Sequence, residues 1–289
     1  MTEHQSIAII TPSYAADYER CCLLADSIDA HVSGISDHYI LVDADDYSLF
    51  SKLNGPNRHI INEQDILPEW LHVIRGGFGS SARKVWYSAK TWPMRGWHVQ
   101  QLRRIAIAHY IRHEALLYCD SDMFFVRPFD GKSLWKDNDL RLYRNSNGIT
   151  ADLEEHQKWL HTSYQILGQG SPELPHHDYI NNLVSWRRDK VLAMCTHIEN
   201  TTGRDWVSSI GRNRTFSECM IYGCYVDKVL AEHSGHWMAE KGLCLTYWDG
   251  AALDQNTLQR FVEQMDDDQY AVGIQSFTNT DPELLRSLM

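Results

Sequence analysis

The sequence predicts an α/β fold with a mostly parallel central sheet flanked by helices. Three observations carry that expectation. Short apolar runs of strand length recur along the first half, and stretches with helical spacing separate them. The runs also end in polar clusters, as strands do where an open sheet binds a ligand beyond its carboxyl ends.

The first run is Ser6-Ile7-Ala8-Ile9-Ile10-Thr11-Pro12-Ser13-Tyr14. It reads as a buried strand stopped by a turn, because proline disfavours helix in the residue before it. Residues 16–30 then place Tyr18, Cys22, Leu23 and Ile28 at helical spacing. A second strand, His38-Tyr39-Ile40-Leu41-Val42, runs directly into Asp43-Ala44-Asp45-Asp46, and a third apolar stretch surrounds Ile60 and Ile61. Helical periodicity returns over 98–112 through Val99, Leu102, Ile105, Ala106, Ala108 and Tyr110. Ala115-Leu116-Leu117-Tyr118-Cys119 is again a buried strand, and it ends in Asp120-Ser121-Asp122. Beyond Pro128 a strand is expected at 139–143, helices at 152–167, 178–199 and 216–231, and late strands at 243–247 and 270–274. Gly168-Gln169-Gly170-Ser171-Pro172 is the clearest loop among them.

Composition narrows the class. The 289 residues show no internal repeat and no long linker, which fits a single large domain at the usual ~100–200 residues per domain. With 43% hydrophobic and 22% charged residues the chain is globular, not disordered. Twenty-seven Lys and Arg against 38 Asp and Glu leave a net charge of −11, which argues against a nucleic-acid backbone as partner. No run approaches the ~20 apolar residues of a membrane span. Met1-Thr2-Glu3-His4-Gln5 lacks the basic start and apolar core of a signal peptide. The seven cysteines are odd in number and show no CxxC or zinc spacing, so reduced, mostly buried thiols in a cytoplasmic protein are expected. Ten Trp and 14 Tyr are many for this length; such rings fill cores and also line sugar-binding clefts.

The sharpest chemical signal is Asp120-Ser121-Asp122, followed by Met123-Phe124-Phe125. Side chains alternate along a strand, so two carboxylates one residue apart point to the same side. Apolar flanks would bury them, and two buried like charges are costly without a cation. A divalent ion with oxygen ligands relieves that cost; Mn²⁺ or Mg²⁺ fits, since both leave positions for diphosphate oxygens.

At these residues the chain resembles the GT-A glycosyltransferases, nucleotide-sugar enzymes with a Rossmann-like fold. The segment Asp120-Ser121-Asp122-Met123-Phe124-Phe125-Val126-Arg127-Pro128-Phe129-Asp130 is similar to the metal-binding segment of that superfamily, and the likeness extends to Thr11-Pro12-Ser13-Tyr14 and Asp43. The resemblance implies that these latter positions hold the nucleoside base and ribose. It implies too that the stretch opening Gly96-Trp97-His98 corresponds to a donor-contacting helix. Residues 1–130 would then be the nucleotide-sugar-binding half and 131–289 the acceptor-binding half. The reaction expected is transfer of a sugar from a nucleotide diphosphate, with uracil as the family-level base, to a hydroxyl of a glycan or glycolipid. Any membrane contact would be peripheral. Two other readings stand beside it: a haloacid-dehalogenase-like phosphatase, disfavoured because its motif usually lies on the first strand, and a non-catalytic sugar-binding scaffold, against which the intact Asp120 and Asp122 count.

The remaining candidates follow from what such a transfer needs. Positive charge must meet the leaving diphosphate, and Lys84, Lys90, Arg103 and Arg104 lie near Gly76-Gly77-Phe78-Gly79-Ser80-Ser81, with Lys90 and Arg104 preferred together with Asp120 and Ser121 as donor contacts. The resemblance implies a late histidine in the metal shell. His233 and His236 are available, and His236 is preferred because Trp237 beside it would wall the donor pocket. An inverting transfer needs a base for the acceptor proton. Glu218, in the first turn of an expected helix capped by Ser217, is the first candidate. Asp178, expected to open a helix, is the second; it also resembles the acidic helix starts of retaining enzymes.

Overall fold

The computed structural model describes residues 5–76 and 83–288. Of the Gly76–Ser81 stretch named above, residues 77–81 lie outside the described residues. The central sheet comprises β1 (Ile7–Pro12), β2 (Asp37–Val42), β3 (Arg58–Asn62), β4 (Ala115–Cys119) and, beyond the short β5 (Met123–Phe125), β6 (Leu183–Arg187). Their order across the sheet is β6-β4-β1-β2-β3. β4, β1, β2 and β3 run parallel, and β6 is antiparallel to β4.

The alternation of side chains explains why β1 is apolar throughout. Ile7 and Ile9 pack on one face with Leu24 and Ile28 of α1 (Tyr18–His31). Ala8 and Ile10 face the other way, towards Val99, Leu102 and Ile105 of α2 (Gly96–Tyr110). All four β1 residues are 0% exposed, as a parallel strand covered on both faces must be. Further helices are α3 (Glu154–Ile166), α4 (Arg188–Thr202) and α5 (Glu218–Cys224). The late strands β7 (Cys244–Tyr247) and β8 (Ala271–Ile274) join β5 in a separate small sheet. Among the described residues, no helix is long and apolar enough to cross a membrane.

The helix expected over 178–199 is corrected. Leu183–Arg187 is strand, paired Leu183 to Cys119 and Trp186 to Leu116, and helix begins only at Arg188. A short, largely buried segment such as Leu-Val-Ser-Trp-Arg cannot be told from helix by its spacing; here the open edge of β4 decided. The helix expected over 216–231 is α5 for one part only, and continues as a wider turn over Tyr225–Leu230.

Two features of this topology position the site. After β3 the chain returns to the other side of β1, so the strand order reverses between the neighbours β1 and β4, the switch point at which open α/β sheets bind ligands. α5 is also held close against the chain entering β6 by Gly223, where a Cβ would stand 2.0 Å from Tyr179 Cγ. Gly223→Ala is therefore expected to destabilise the protein by roughly 1–3 kcal/mol through overpacking, measured by denaturant unfolding. An unchanged midpoint would show that this contact does not set the position of α5.

Candidate functional site

The carboxyl ends of β1 and β4 meet through short turns. Past β1 the chain delivers Tyr14 and Asp17; past β4, Asp120, Ser121 and Asp122 turn into β5. The turn is tied to the strand end of β8: the Ile274 N–H donates to the Asp122 carbonyl (3.0 Å), and the Ser276 N–H donates to Asp122 Oδ2 (3.0 Å). Arg20 of α1 clamps the same segment, donating to the carbonyls of Ile274 (3.1 Å) and Thr280 (2.6 Å). Ser121 Oγ reaches Asp17 Oδ2 at 3.5 Å.

Asp17, Asp120 and Asp122 line one pocket of about 320 Å³ with Glu218 and Arg104. Four carboxylates thus face one guanidinium. Arg104 projects from α2, donates to Glu218 Oε1 at 2.6 Å and pairs with Asp120 Oδ1. Its own backbone carbonyl accepts from the Tyr118 hydroxyl of β4 (2.8 Å), so helix and strand are locked at this point. Glu218 sits where expected, in the first turn of α5, with Ser217 Oγ capping Met220 N at 3.3 Å. The Glu218 N–H donates to Gln101 Oε1 of α2 (3.0 Å). Trp97 and Trp159, with ring centroids 5.8 Å apart, line the same pocket, and the half-exposed Trp248 joins them.

A second pocket, about 670 Å³, shares Tyr14, Asp17, Gln100 and Ser121 with the first. Pro12, Ser13, Tyr14 and Asp43 line it, together with Arg95 and Gly96 at the start of α2. Asp43 Oδ1 accepts from Lys84 Nζ (2.6 Å) and from the Asp45 N–H (2.9 Å). Arg103 and Trp86 Nε1 both donate to Glu63, building the buried wall.

Several expected residues are elsewhere. Thr11 is fully buried in β1, its hydroxyl 3.0 Å from His38 Nε2, and lines neither pocket. Lys90 is half-exposed, 4.5 Å over the Trp70 ring, and lines neither pocket. His236 is corrected as a metal ligand. It is buried on a strand (His236–Ala239) beside Leu140, its Nδ1 must donate to the Leu140 carbonyl (2.9 Å), and its Nε2 lone pair therefore accepts from the Tyr222 hydroxyl (2.8 Å). No lone pair remains for a cation, and burial pulls its pKa down to about 4. Trp237 is likewise structural, donating to the Leu134 carbonyl (3.0 Å). His233 is exposed. Asp178 ends a short strand (His176–Asp178) and opens no helix; it binds the Ile180 N–H (3.0 Å) and His156 (2.9 Å) and does not line the acidic pocket.

Sequence reasoning passed over Asp17, Trp159 and Asn182 as pocket residues, and named Trp97 only within the stretch that the resemblance made donor-contacting. Asp17 had a signal, its place just past the first strand's carboxyl end; the others are gathered only by packing. Among the described residues, no three His, Cys, Asp or Glu side chains are poised around one point as a complete metal cage.

Electrostatics mark the pocket as short of positive charge. Burial, then the Asp120 carboxylate, pushes Asp122 up to about 7. Burial also raises Asp120 despite Arg104, and raises Asp17 despite Ser276 and Arg20. For Arg104, burial works against the charged form, but Asp120 and Glu218 outweigh it and keep the guanidinium charged. The folded protein thus holds a proton on Asp122 that the unfolded chain, at about 3.9, has already released. That contribution to stability is fully present below about pH 4 and is lost as pH rises through about 7. In buffer stripped of divalent cations, stability is expected to fall over this window by on the order of a few kcal/mol. Asp122→Asn is expected to flatten the dependence in thermal unfolding, and the same slope in that variant would refute the assignment.

Comparison with known proteins returns a single kind of answer. No curated protein matches the chain. One family model matches residues 6–288, nearly the whole length, and its description is "Family of unknown function (DUF6492)". The chain belongs to this family.

Proposed function

We propose that the protein is a metal-dependent glycosyltransferase of GT-A type, moving a sugar from a nucleoside diphosphate donor to a hydroxyl acceptor. The observation that carries this reading is the pairing of pockets at the β1/β4 crevice. One is rich in carboxylates and aromatic rings, and the other, with Tyr14 and Asp43, has room for a nucleoside.

The donor set fits a hard divalent cation held only in part by protein. Asp122 is buried and Asp120 partly so, both are raised in pKa, and Asp17 adds a third carboxylate nearby. With His236 excluded, diphosphate oxygens and water would complete the shell, as Mn²⁺ and Mg²⁺ accept. When bound, the ion would offset charge on the leaving diphosphate. Tyr14 stacks on the base, and Asp43 accepts from ribose hydroxyls. Trp97 and Trp159 wall the sugar, whose apolar face suits an indole. Glu218 takes the acceptor proton as the acceptor oxygen bonds to the anomeric carbon. The bond from that carbon to the phosphate oxygen breaks with its electron pair leaving on the nucleoside diphosphate. Arg104 holds Glu218 by one oxygen, Oε1, and leaves Oε2 for the acceptor hydroxyl.

The acceptor belongs to the glycan or glycolipid class. The reading places the enzyme in the cytoplasm with peripheral membrane contact, in keeping with seven free thiols, six of them buried.

Two experiments test this. Asp122→Asn is expected to keep the fold and to lose Mn²⁺-dependent binding of UDP in calorimetry; undiminished binding would overturn the metal assignment. Release of phosphate from p-nitrophenyl phosphate, without nucleotide binding, would replace the reading by a phosphatase. Glu218→Gln is expected to lower kcat on the order of 10²–10⁴-fold while donor affinity holds, and the product anomer is expected to be inverted by proton NMR. An inverted product with near-normal kcat would remove Glu218 as the base; a retained one would reject the inverting mechanism.

A further inference from the structure

Asn182 carries an amide that no protein group answers. The residue is 1% exposed, and neither Oδ1 nor Nδ2 has a hydrogen-bond partner among the described residues. It nevertheless lines the acidic pocket. Its neighbour Asn181 differs, since Asn181 Oδ1 accepts from the Leu183 N–H at 3.3 Å. The sheet register explains the placement. Leu183 pairs with Cys119 at the end of the antiparallel β6–β4 ladder, so Asn182 and Asp120 are the residues next to that last rung, and both line the acidic pocket. β8 closes the other side, where a Cβ on Gly273 would stand 3.2 Å from Asn182 Nδ2.

A buried amide without partners costs stability, and a leucine of similar volume would fill the site without that cost. The chemistry of the unmet groups defines what would satisfy them. An amide offers one acceptor and two donors side by side, and the neighbouring carboxylates, once ionised around a cation, accept only. A phosphate oxygen would answer Nδ2 alone, and in the reading above the diphosphate oxygens are taken up by the cation. A cation would answer Oδ1 alone. A hydroxyl both donates and accepts, is neutral, and can be shared between Asn182 and a neighbouring carboxylate.

We infer that Asn182 reads a hydroxyl of the transferred sugar, directly or through one water, and so determines which sugar the enzyme accepts. The inference rests on the glycosyltransferase reading and names a specificity residue within it.

The test compares wild type, Asn182→Ala and Asn182→Leu in the presence of Mn²⁺. The probes are UDP, UDP-glucose, UDP-galactose and single-deoxy analogues of the last two. Both variants are expected to bind UDP within about twofold of wild type. Both are expected to lose roughly tenfold in kcat/KM with the preferred nucleotide sugar, the scale of one hydrogen bond. One deoxy donor should lose the same factor in wild type and lose nothing further in the variants. The leucine variant keeps the volume and so guards against collapse of the alanine one. Equal weakening of UDP and UDP-sugar would make Asn182 structural and overturn the inference, as would unchanged discrimination among the deoxy donors. A wild-type protein that binds no nucleotide with Mn²⁺ would instead overturn the glycosyltransferase reading, and this inference with it.

Discussion

The buried bridge from Glu218 through Arg104 to Asp120 organises the functional end of this molecule. It joins three elements far apart in sequence: α5, α2 and the end of β4. A guanidinium is suited to this because its planar fork presents several donors at once and it stays charged even when desolvated. Neither carboxylate would be tolerated at that depth alone, and loss of Arg104 would leave both uncompensated. The bridge does not neutralise the pocket, however, because Asp17 and Asp122 remain outside it. The pocket is therefore stable enough to exist without ligand and still short of positive charge.

That remaining deficit connects the fold to the chemistry. An open sheet whose strand order reverses between β1 and β4 leaves a crevice at the carboxyl ends, and the turns after those two strands supply the acids. The small sheet of β5, β7 and β8 adds a second constraint by presenting the backbone of Ile274 and Ser276 to Asp122. Two sheets and two helices thus converge on a span of three residues. The nucleoside-sized pocket beside it has its own ion pair, Lys84 with Asp43. Burial works against the Lys84 charge, and the hydrogen bonds to Asp43 and Asp45 outweigh it, raising its pKa.

The aromatic content noted in the composition has two destinations. Trp186 and Tyr222 stack in the core with ring centroids 4.6 Å apart, whereas Trp97, Trp159 and Trp248 line the acidic pocket. Nothing in the local sequence around a tryptophan separates these fates. The histidines divide in the same way: His236 is consumed by the core, and its proximity to a Ser-Gly turn carried no information about the pocket.

The sequence by itself determined the parallel part of the sheet and the acidic motif. Continuous apolar runs such as Ile7–Ile10 and Leu116–Cys119 have one economical use, burial on both faces. The Asp120–Asp122 motif stood out at the end of such a run, although the turn into β5, not strand alternation, brings both carboxylates to the pocket. Ser13, Tyr14 and Asp43 were marked by the resemblance and by following strands directly. Tertiary structure alone decided the rest. Whether Leu183–Arg187 was strand or helix depended on the open edge of β4, not on its own spacing. Which cation would meet Asp120 depended on the face of α2 turned inward, which chose Arg104, while Lys90, in the segment before α2, lies over Trp70. Whether Asn182 or His236 reached the pocket depended on long-range register and packing, because hydrogen-bond partners distant in the chain leave no trace in local pattern.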